Sequence, residues 1–298
     1  MTAEHDDSAI EPGEQRRRLG ELLLRLREGI GLNQTDFGAR AGMNQSKVSR
    51  LETARQVPTI AEARAWADAA NADVDTCDQL LDRVEGVLTE TTSWADAVGK
   101  GVANKQRQIG REERAASVIR NFTTMIVPGL LQTAEYTRRQ ATLAASLQPV
   151  LAQDRPAALA AWAERQQLLY EPGRRFEFVV TEAALRWRPG PDDNPRILAA
   201  QMHHIASLST VDTVSFGVIP WRTATQFCPM HGFVVFGEPG VDERVEIDIY
   251  TTTQELRIRD EAQIAVYLEL WGKLCEDAVF DEDARDLLRS LAQEFLAE

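Results

Sequence analysis

The side chains best suited to specific binding chemistry lie between residues 45 and 50. The exposed face of a helix predicted there consists of Gln45, Ser46, Ser49 and Arg50, with Lys47 at its edge. A solvated helix surface is more often rich in Glu and Lys that pair four residues apart. This face instead carries amide, hydroxyl and cationic groups, which hydrogen-bond base edges and phosphates in the major groove of DNA. The pattern predicts a helix that contacts nucleic acid.

Two short helices with a turn between them would position this face. Asn33 precedes the letters QTD and can cap a helix that runs to about Ala41. Gly42 would end that helix, and Asn44 can cap the next helix, which runs to about Thr53.

Two helices joined by such a short turn must pack at a steep angle, which restricts the residue types between them. A small residue is needed at Gly38, and a left-handed turn residue is needed at Gly42. Apolar side chains are needed between the helices and stand at Phe37, Met43, Val48 and Leu51. All six positions carry suitable types, so the segment predicts a helix-turn-helix.

Further helices complete this predicted domain, which spans residues 16–88. The first helix has an apolar stripe at Leu19, Leu22, Leu23, Leu26 and Ile30. Its other face is predicted to carry Arg16, Arg17, Arg18, Arg25 and Arg27. A fourth helix follows Thr59, at about 60–71, and a fifth covers about 74–88.

The charge distribution supports contact with a polyanion at this domain alone. The chain of 298 residues has a net charge of −13. Residues 16–64 nevertheless contain ten Lys and Arg against five Asp and Glu, whereas residues 1–15 contain five acids and no Lys or Arg. Basic charge gathered in one segment of an acidic protein is the electrostatic footprint of a nucleic-acid-binding module.

The segment QTDFGARAGMNQSKVSRLETARQVPT resembles the xenobiotic-response-element family of helix-turn-helix proteins, which includes phage repressors. The resemblance covers about 55 residues and implies contacts to double-stranded DNA. It places Gln45 on an adenine, with Gln34 supporting Gln45 or bonding a phosphate, and it places Arg55 on a phosphate. The full set of predicted DNA-binding residues is Gln34, Thr35, Asn44, Gln45, Ser46, Lys47, Ser49, Arg50 and Arg55.

The rest of the chain predicts an α+β domain at residues 105–298, with a small, mostly antiparallel sheet. Short β-branched or aromatic runs occur at 176–180, 214–219, 232–237 and 244–250, and helical segments alternate with or follow them. Residues 89–104 are interpreted as a linker, and residues 1–15 as a disordered acidic tail.

This second region also resembles a known family, over about residues 105–296. The strings VPGLLQTAEYTRRQ, EFVVTEAALRW and VSFGVIPW are similar to a domain of unknown function that follows a helix-turn-helix in regulators of filamentous soil bacteria. Those regulators are described as antitoxin-like. The resemblance implies a repressor, and it implies that a small protein encoded nearby is an expected partner.

Catalytic patterns are weak in this region. Cys228 and His231 have the spacing of half a zinc site, His203 and His204 point about 100° apart on a predicted helix, and Glu182 and Glu255 have no evident partner. There is no P-loop, no GxGxxG after a strand, no HExxH and no GxSxG. We therefore expect no enzyme activity, no metal site and no cofactor.

Two further expectations concern location and ligands. No run of 18 apolar residues exists, and the first residues carry acids where a signal peptide would have none, so we expect a cytoplasmic protein without membrane contact. The aromatic residues of the second domain could either pack in its core or line a small-molecule pocket. They are Phe176, Trp187, Phe216, Trp221, Phe227, Phe233 and Phe236.

The sequence as a whole predicts a sequence-specific DNA-binding regulator, a repressor that acts as a homodimer. The fifth helix and the second domain are both candidates for the dimer interface. Two alternatives stay open at this point: a protein-interaction module that neutralises a small partner protein, and a sensor gated by a small-molecule effector.

Overall fold

The fold is taken from a computed structural model of the chain. The structure describes residues 12–152, 154–190, 194–228 and 230–298. The chain divides into two compact units. The first is Met1–Glu90 with Ile258–Glu261, and the second is Thr91–Arg257 with Ala262–Glu298.

The first unit is built from five helices within its described residues. They are α1 (Pro12–Gly29), α2 (Gln34–Ala41), α3 (Gln45–Glu52), α4 (Ile60–Ala69) and α5 (Val74–Leu88). The aromatic centre of their core is the pair Phe37 and Trp66, whose rings lie 4.6 Å apart and are both fully buried. The Trp66 indole N–H donates to the carbonyl of Leu23 at 3.2 Å, so the buried ring has its polar atom satisfied. The apolar stripes predicted for these helices therefore meet in one core.

The second unit contains the other helices and most of the sheet. Its helices are α6 (Trp94–Ala97), α7 (Val102–Ala115), α8 (Ala134–Leu147), α9 (Arg155–Gln166), α10 (Glu182–Arg186), α11 (Pro195–Leu208), α12 (Glu261–Asp277) and α13 (Asp281–Ala297). The strands are β1 (Thr89–Ser93), β2 (Val118–Thr123), β3 (Arg175–Thr181), β4 (Val214–Ile219), β5 (Phe233–Phe236), β6 (Glu246–Tyr250) and β7 (Gln254–Ile258). The first residues of β1 and α12 and the last of β7 fall on the other side of the division.

The prediction of a small, mostly antiparallel sheet is wrong. The described strands form one seven-stranded mixed sheet in the order β1-β7-β6-β5-β2-β3-β4. Strands β2, β3 and β4 are parallel, and β5 runs antiparallel to both β2 and β6. The reason lies in the connections: helices α8 and α9 join β2 to β3, and α10 and α11 join β3 to β4. Such crossovers return the chain to the same end of the sheet, which makes the joined strands parallel.

The main core of this unit lies between the parallel strands and α11 and α13. It includes Phe176 and Phe178 of β3 and Phe216 of β4, all buried, packed with Met202 of α11 and Leu288 of α13. Strand β3 is buried at both Phe178 and Val179, which point to opposite faces. A strand covered on both faces has a nearly continuous apolar sequence, as FEFVV does.

The segments predicted as linker and tail are placed as follows. Residues 89–104 hold β1, α6 and the start of α7, and the division between the units falls at Glu90. Residues 1–11 of the predicted acidic tail lie outside the described residues, and residues 12–15 begin α1. No helix in the described parts of the chain is long and apolar enough to cross a membrane.

Candidate nucleic-acid interface

Asparagine side chains cap both helices of the helix-turn-helix, as predicted. Asn33 accepts hydrogen bonds from the backbone N–H groups of Thr35 and Asp36, both at 2.9 Å. Asn44 accepts from the backbone N–H of Lys47 at 2.8 Å. Each cap satisfies donors that the first turn of a helix leaves unpaired, so the starts of α2 and α3 are fixed locally.

The turn between α2 and α3 depends on two glycines. Gly42 has φ +70, in the left-handed region that favours glycine. A Cβ atom added at Gly38 would lie 2.6 Å from the carbonyl oxygen of Met43, closer than any real contact of this kind. Val48 and Leu51, predicted to lie between the helices, are both buried. The predicted roles of Gly38 and Gly42 are therefore confirmed by the geometry.

A chain of hydrogen bonds links the recognition face to the domain interior. The Gln45 side-chain amide donates to the Gln34 oxygen at 2.8 Å, and the Gln34 amide donates to a carboxylate oxygen of Glu52 at 2.7 Å. Glu52 is buried and accepts Nε of Arg27 at 2.5 Å and Nη2 at 3.3 Å. Arg27 also donates to the carbonyl of Leu32 at 2.7 Å. The exposed Gln45 is thus attached to a buried ion pair through one intermediate side chain.

The prediction that Arg27 lies on the polar face of the first helix is wrong. Its exposed fraction is 8%. Arg27 continues the row of Leu19 and Leu23 at steps of four residues, and those two side chains are buried. That spacing was a signal that Arg27 faces inward, and Glu52, on the third helix, is the partner that makes its burial tolerable.

The remaining predicted residues differ in how available they are. Thr35, Asn44, Ser46, Arg50 and Arg55 are exposed, and Ser49 is half-buried. Arg50 Nε donates to the side-chain oxygen of Gln56 at 3.2 Å, at the end of the helix.

Lys47 is held away from the rest of the face. Its ammonium group forms an ion pair with Glu62 of α4, and about a quarter of each side chain is exposed. Glu62 also closes a capping box with Thr59, because its second carboxylate oxygen accepts the Thr59 backbone N–H at 3.0 Å. A contact from Lys47 to DNA would therefore require this pair to open.

In the second unit, the two acids that lacked evident partners are both buried and paired. Glu182 accepts from Nε of Arg186 at 2.7 Å and from the backbone N–H of Trp221 at 2.8 Å. Glu255 pairs with Lys105 and accepts from Arg257 at 3.2 Å. Both acids thus have cationic partners.

Arg257 is the centre of a buried ionic cluster. It donates to both oxygens of Asp248 at 2.6 and 2.7 Å and to both oxygens of Glu112 at 2.9 and 3.0 Å. Burial raises the pKa of Asp248 to about 6, and the bonds from Arg257 oppose that rise. At Glu112 burial likewise raises the pKa. The hydrogen bonds and the charge of Arg257 lower it, and the pKa of Glu112 is lowered overall. These contacts join α7 to β6 and β7.

Within the part of the chain that the structure describes, neither the half zinc site nor the histidine pair gains the ligands of a metal site. Cys228 and His231 are exposed, and His231 Nε2 lies 3.3 Å from the Tyr267 hydroxyl. Burial lowers the pKa of His204 below its usual value. Across residues 12–152, 154–190, 194–228 and 230–298, no group of three or more His, Cys, Asp or Glu could hold a metal ion.

Comparison with known proteins gives a family for each unit. A family model described as a helix-turn-helix domain matches residues 18–80. A second, described as a domain of unknown function (DUF5753), matches residues 106–290. No curated protein matches the chain.

Among solved structures, the chain is similar to TrmBL2, an archaeal chromatin protein that shows a novel mode of DNA binding. The two share 10% sequence identity, and the match covers 87% of this chain and 98% of that one. The TM-score is 0.27, so the similarity carries no argument about this protein. The match to the domain of unknown function spans more than half of the chain. The chain therefore belongs to the family of the domain of unknown function DUF5753 and carries a helix-turn-helix domain amino-terminal to it.

Proposed function

We propose that this protein is a sequence-specific DNA-binding transcriptional regulator, a repressor of the antitoxin-like type that acts as a homodimer. The single observation that carries the proposal is the hydrogen-bonded chain from Gln45 through Gln34 to the buried Glu52. An exposed amide held in one orientation loses little conformational entropy on binding, which is what a base-reading side chain requires.

The arrangement of the Gln45 amide suits an adenine. One of its two N–H groups is used by Gln34, so one N–H and the side-chain oxygen stay available. Adenine offers an N7 acceptor and an N6 donor in the major groove, and a glutamine can bond both at once. Gln34 then acts as the positioning residue, while Arg50 and Arg55, both exposed, supply contacts to phosphate.

A dimer supplies the affinity that one recognition helix lacks. Helix α3 has eight residues, so a single copy can contact only a few base pairs. Two copies related by a two-fold axis would read two half-sites about 34 Å apart, one turn of DNA. Repression would follow from occupation of a promoter by this dimer, without a catalytic step, a metal or a cofactor.

Selection from random duplex DNA tests this proposal. The full chain is expected to enrich a two-fold symmetric motif, and binding to the selected duplex is then measured by fluorescence anisotropy. Gln45→Ala should lose its preference at one base pair in each half-site, at a cost of about 1–3 kcal/mol. Gln79→Ala is the matched control, because Gln79 is an exposed glutamine on α5. If no motif is enriched, or if both variants retain the wild-type preference, the proposal is wrong.

A further inference from the structure

A cleft of about 450 Å³ opens where two parallel strands end. Glu182 directly follows β3, and Pro220, Trp221 and Arg222 directly follow β4, which is the parallel neighbour of β3. The cleft thus lies outside the carboxyl ends of two neighbouring parallel strands. The volume also falls within the range of small-molecule sites, roughly 300–1,000 Å³. The size of the cleft is therefore that of a small-molecule site.

The protein fixes the segment that forms one wall of the cleft. The backbone N–H of Trp221 donates to Glu182 at 2.8 Å, and the other oxygen of Glu182 accepts Nε of Arg186 at 2.7 Å. Arg186 in turn donates to both oxygens of Glu294 at 2.6 and 3.0 Å. Glu182 is buried, with 8% of its surface exposed. Both carboxylates in and beside the cleft thus already have cationic partners.

Two groups of the cleft are left for a ligand. The Trp221 side chain is 74% exposed, although its backbone is anchored. Arg222 is exposed and forms no hydrogen bond or ion pair with any residue that the structure describes. A single exposed aromatic residue is ordinary on a protein surface. A cleft lined both by an exposed indole, on a backbone that Glu182 holds, and by an unpaired guanidinium is a combination that selects a ligand.

We propose that this cleft binds a planar aromatic acid. The ring of the ligand stacks on the Trp221 indole, and its carboxylate pairs with the Arg222 guanidinium in the two-bonded geometry that arginine favours. A cationic ligand is disfavoured, because Arg222 would repel it and Glu182 and Glu294 are already paired with Arg186. A neutral aromatic ligand would stack on Trp221 but would lack the charge pairing with Arg222.

The cleft lies wholly within the second unit, and its residues take no part in the proposed DNA contacts. Its test measures ligand binding directly, so its failure would leave the DNA-binding proposal untouched. Failure of the DNA-binding test would likewise leave the proposed ligand site untouched.

Isothermal titration of the full chain with three matched probes tests the site. The probes are 1-naphthoate, the neutral 1-naphthalenemethanol and the cationic 1-naphthylmethylammonium. We expect naphthoate to bind most tightly, and we expect Trp221→Ala to weaken it about tenfold or more. Arg222→Gln should remove the preference for the acid over the alcohol.

Two control variants distinguish the cleft from general surface binding. Tyr170, which is 58% exposed, precedes the start of β3, whereas the cleft lies where β3 ends, so Tyr170→Ala should leave naphthoate binding unchanged. Arg107 is an exposed arginine on α7, and Arg107→Gln should likewise have no effect. If naphthoate fails to bind, binds no better than the alcohol, or binds Trp221→Ala as tightly as the wild type, the proposed site does not exist.

Discussion

Replacement of Arg27 by methionine should separate the structural role of the buried ion pair from its role in DNA binding. Methionine keeps the length of the side chain but leaves Glu52 buried with Gln34 as its remaining side-chain partner. Removal of one member of a buried pair costs about 3–5 kcal/mol. The hydrogen bond from Gln34 offsets part of this, so we expect a value near the lower end, about 3 kcal/mol. The whole free energy of unfolding of a typical domain is only about 5–15 kcal/mol.

Hydrogen–deuterium exchange of the full chain, read by mass spectrometry, measures this effect in the helix-turn-helix unit alone. A loss of about 3 kcal/mol corresponds to exchange roughly a hundredfold faster in α1 and α3, if these helices open together. The control is Arg25→Met, because Arg25 is an exposed arginine on the same helix. Its exchange should change by less than about threefold, the effect of an ordinary surface substitution of about 0.5 kcal/mol.

The double variant Arg27→Met with Glu52→Met completes the test. Replacement of both charges by apolar side chains is often neutral for stability. Exchange should therefore return close to the wild-type rate. Gln34, however, loses the carboxylate that orients it, so affinity for the selected duplex should stay about tenfold weaker, the value of roughly one hydrogen bond. The reasoning is refuted if Arg27→Met exchanges like the wild type, or if the double variant binds DNA at full strength.

Three other substitutions have definite expected outcomes. Gly38→Ala should destabilise the helix-turn-helix by about 1–3 kcal/mol in thermal unfolding, because its Cβ would lie 2.6 Å from the Met43 carbonyl oxygen. The control Gly29→Ala, whose Cβ would have nothing within 4 Å, should not destabilise it. Arg55→Ala should weaken binding to all duplexes alike and reduce the slope of log affinity against log salt by about one, as measured by anisotropy; an unchanged slope would remove Arg55 from the phosphate contacts. Thr59→Ala should cost about 0.5–2 kcal/mol in thermal unfolding, since it removes a cap of α4, and equal stability would mean that the capping box contributes nothing.

The helix-turn-helix was predictable because its signals are local. A cap such as Asn33 acts within three residues, and the requirement for a glycine at Gly42 follows from one backbone angle. The ion pair of Arg27 with Glu52 joins residues 25 positions apart, so neither charge alone announces its burial. The spacing of Arg27 from Leu19 and Leu23 indicates the buried face, but a charged residue at that spacing is ordinarily assigned to the exposed face.

The sheet was harder to predict because strand direction is set by connections rather than by the strands. FEFVV was recognised as a strand, but its parallel pairing depends on the crossovers that precede and follow it. Strand β7 was missed since its sequence QELRI is polar, and its Glu255 and Arg257 are buried only because they pair with charges on other elements. Strand β1, TETTS, likewise contains no apolar residue that would mark a strand.

The central claim is that Gln45 reads a base through the amide face that Gln34 leaves available. The most direct test replaces the adenine at the position where Gln45→Ala loses preference by 7-deazaadenine, which lacks the N7 acceptor, and measures affinity for both duplexes with both proteins. The wild type should lose about 1–3 kcal/mol on the modified duplex, and Gln45→Ala should bind the two duplexes equally. An equal loss for both proteins would show that Gln45 does not contact that base, and the account of recognition would be wrong.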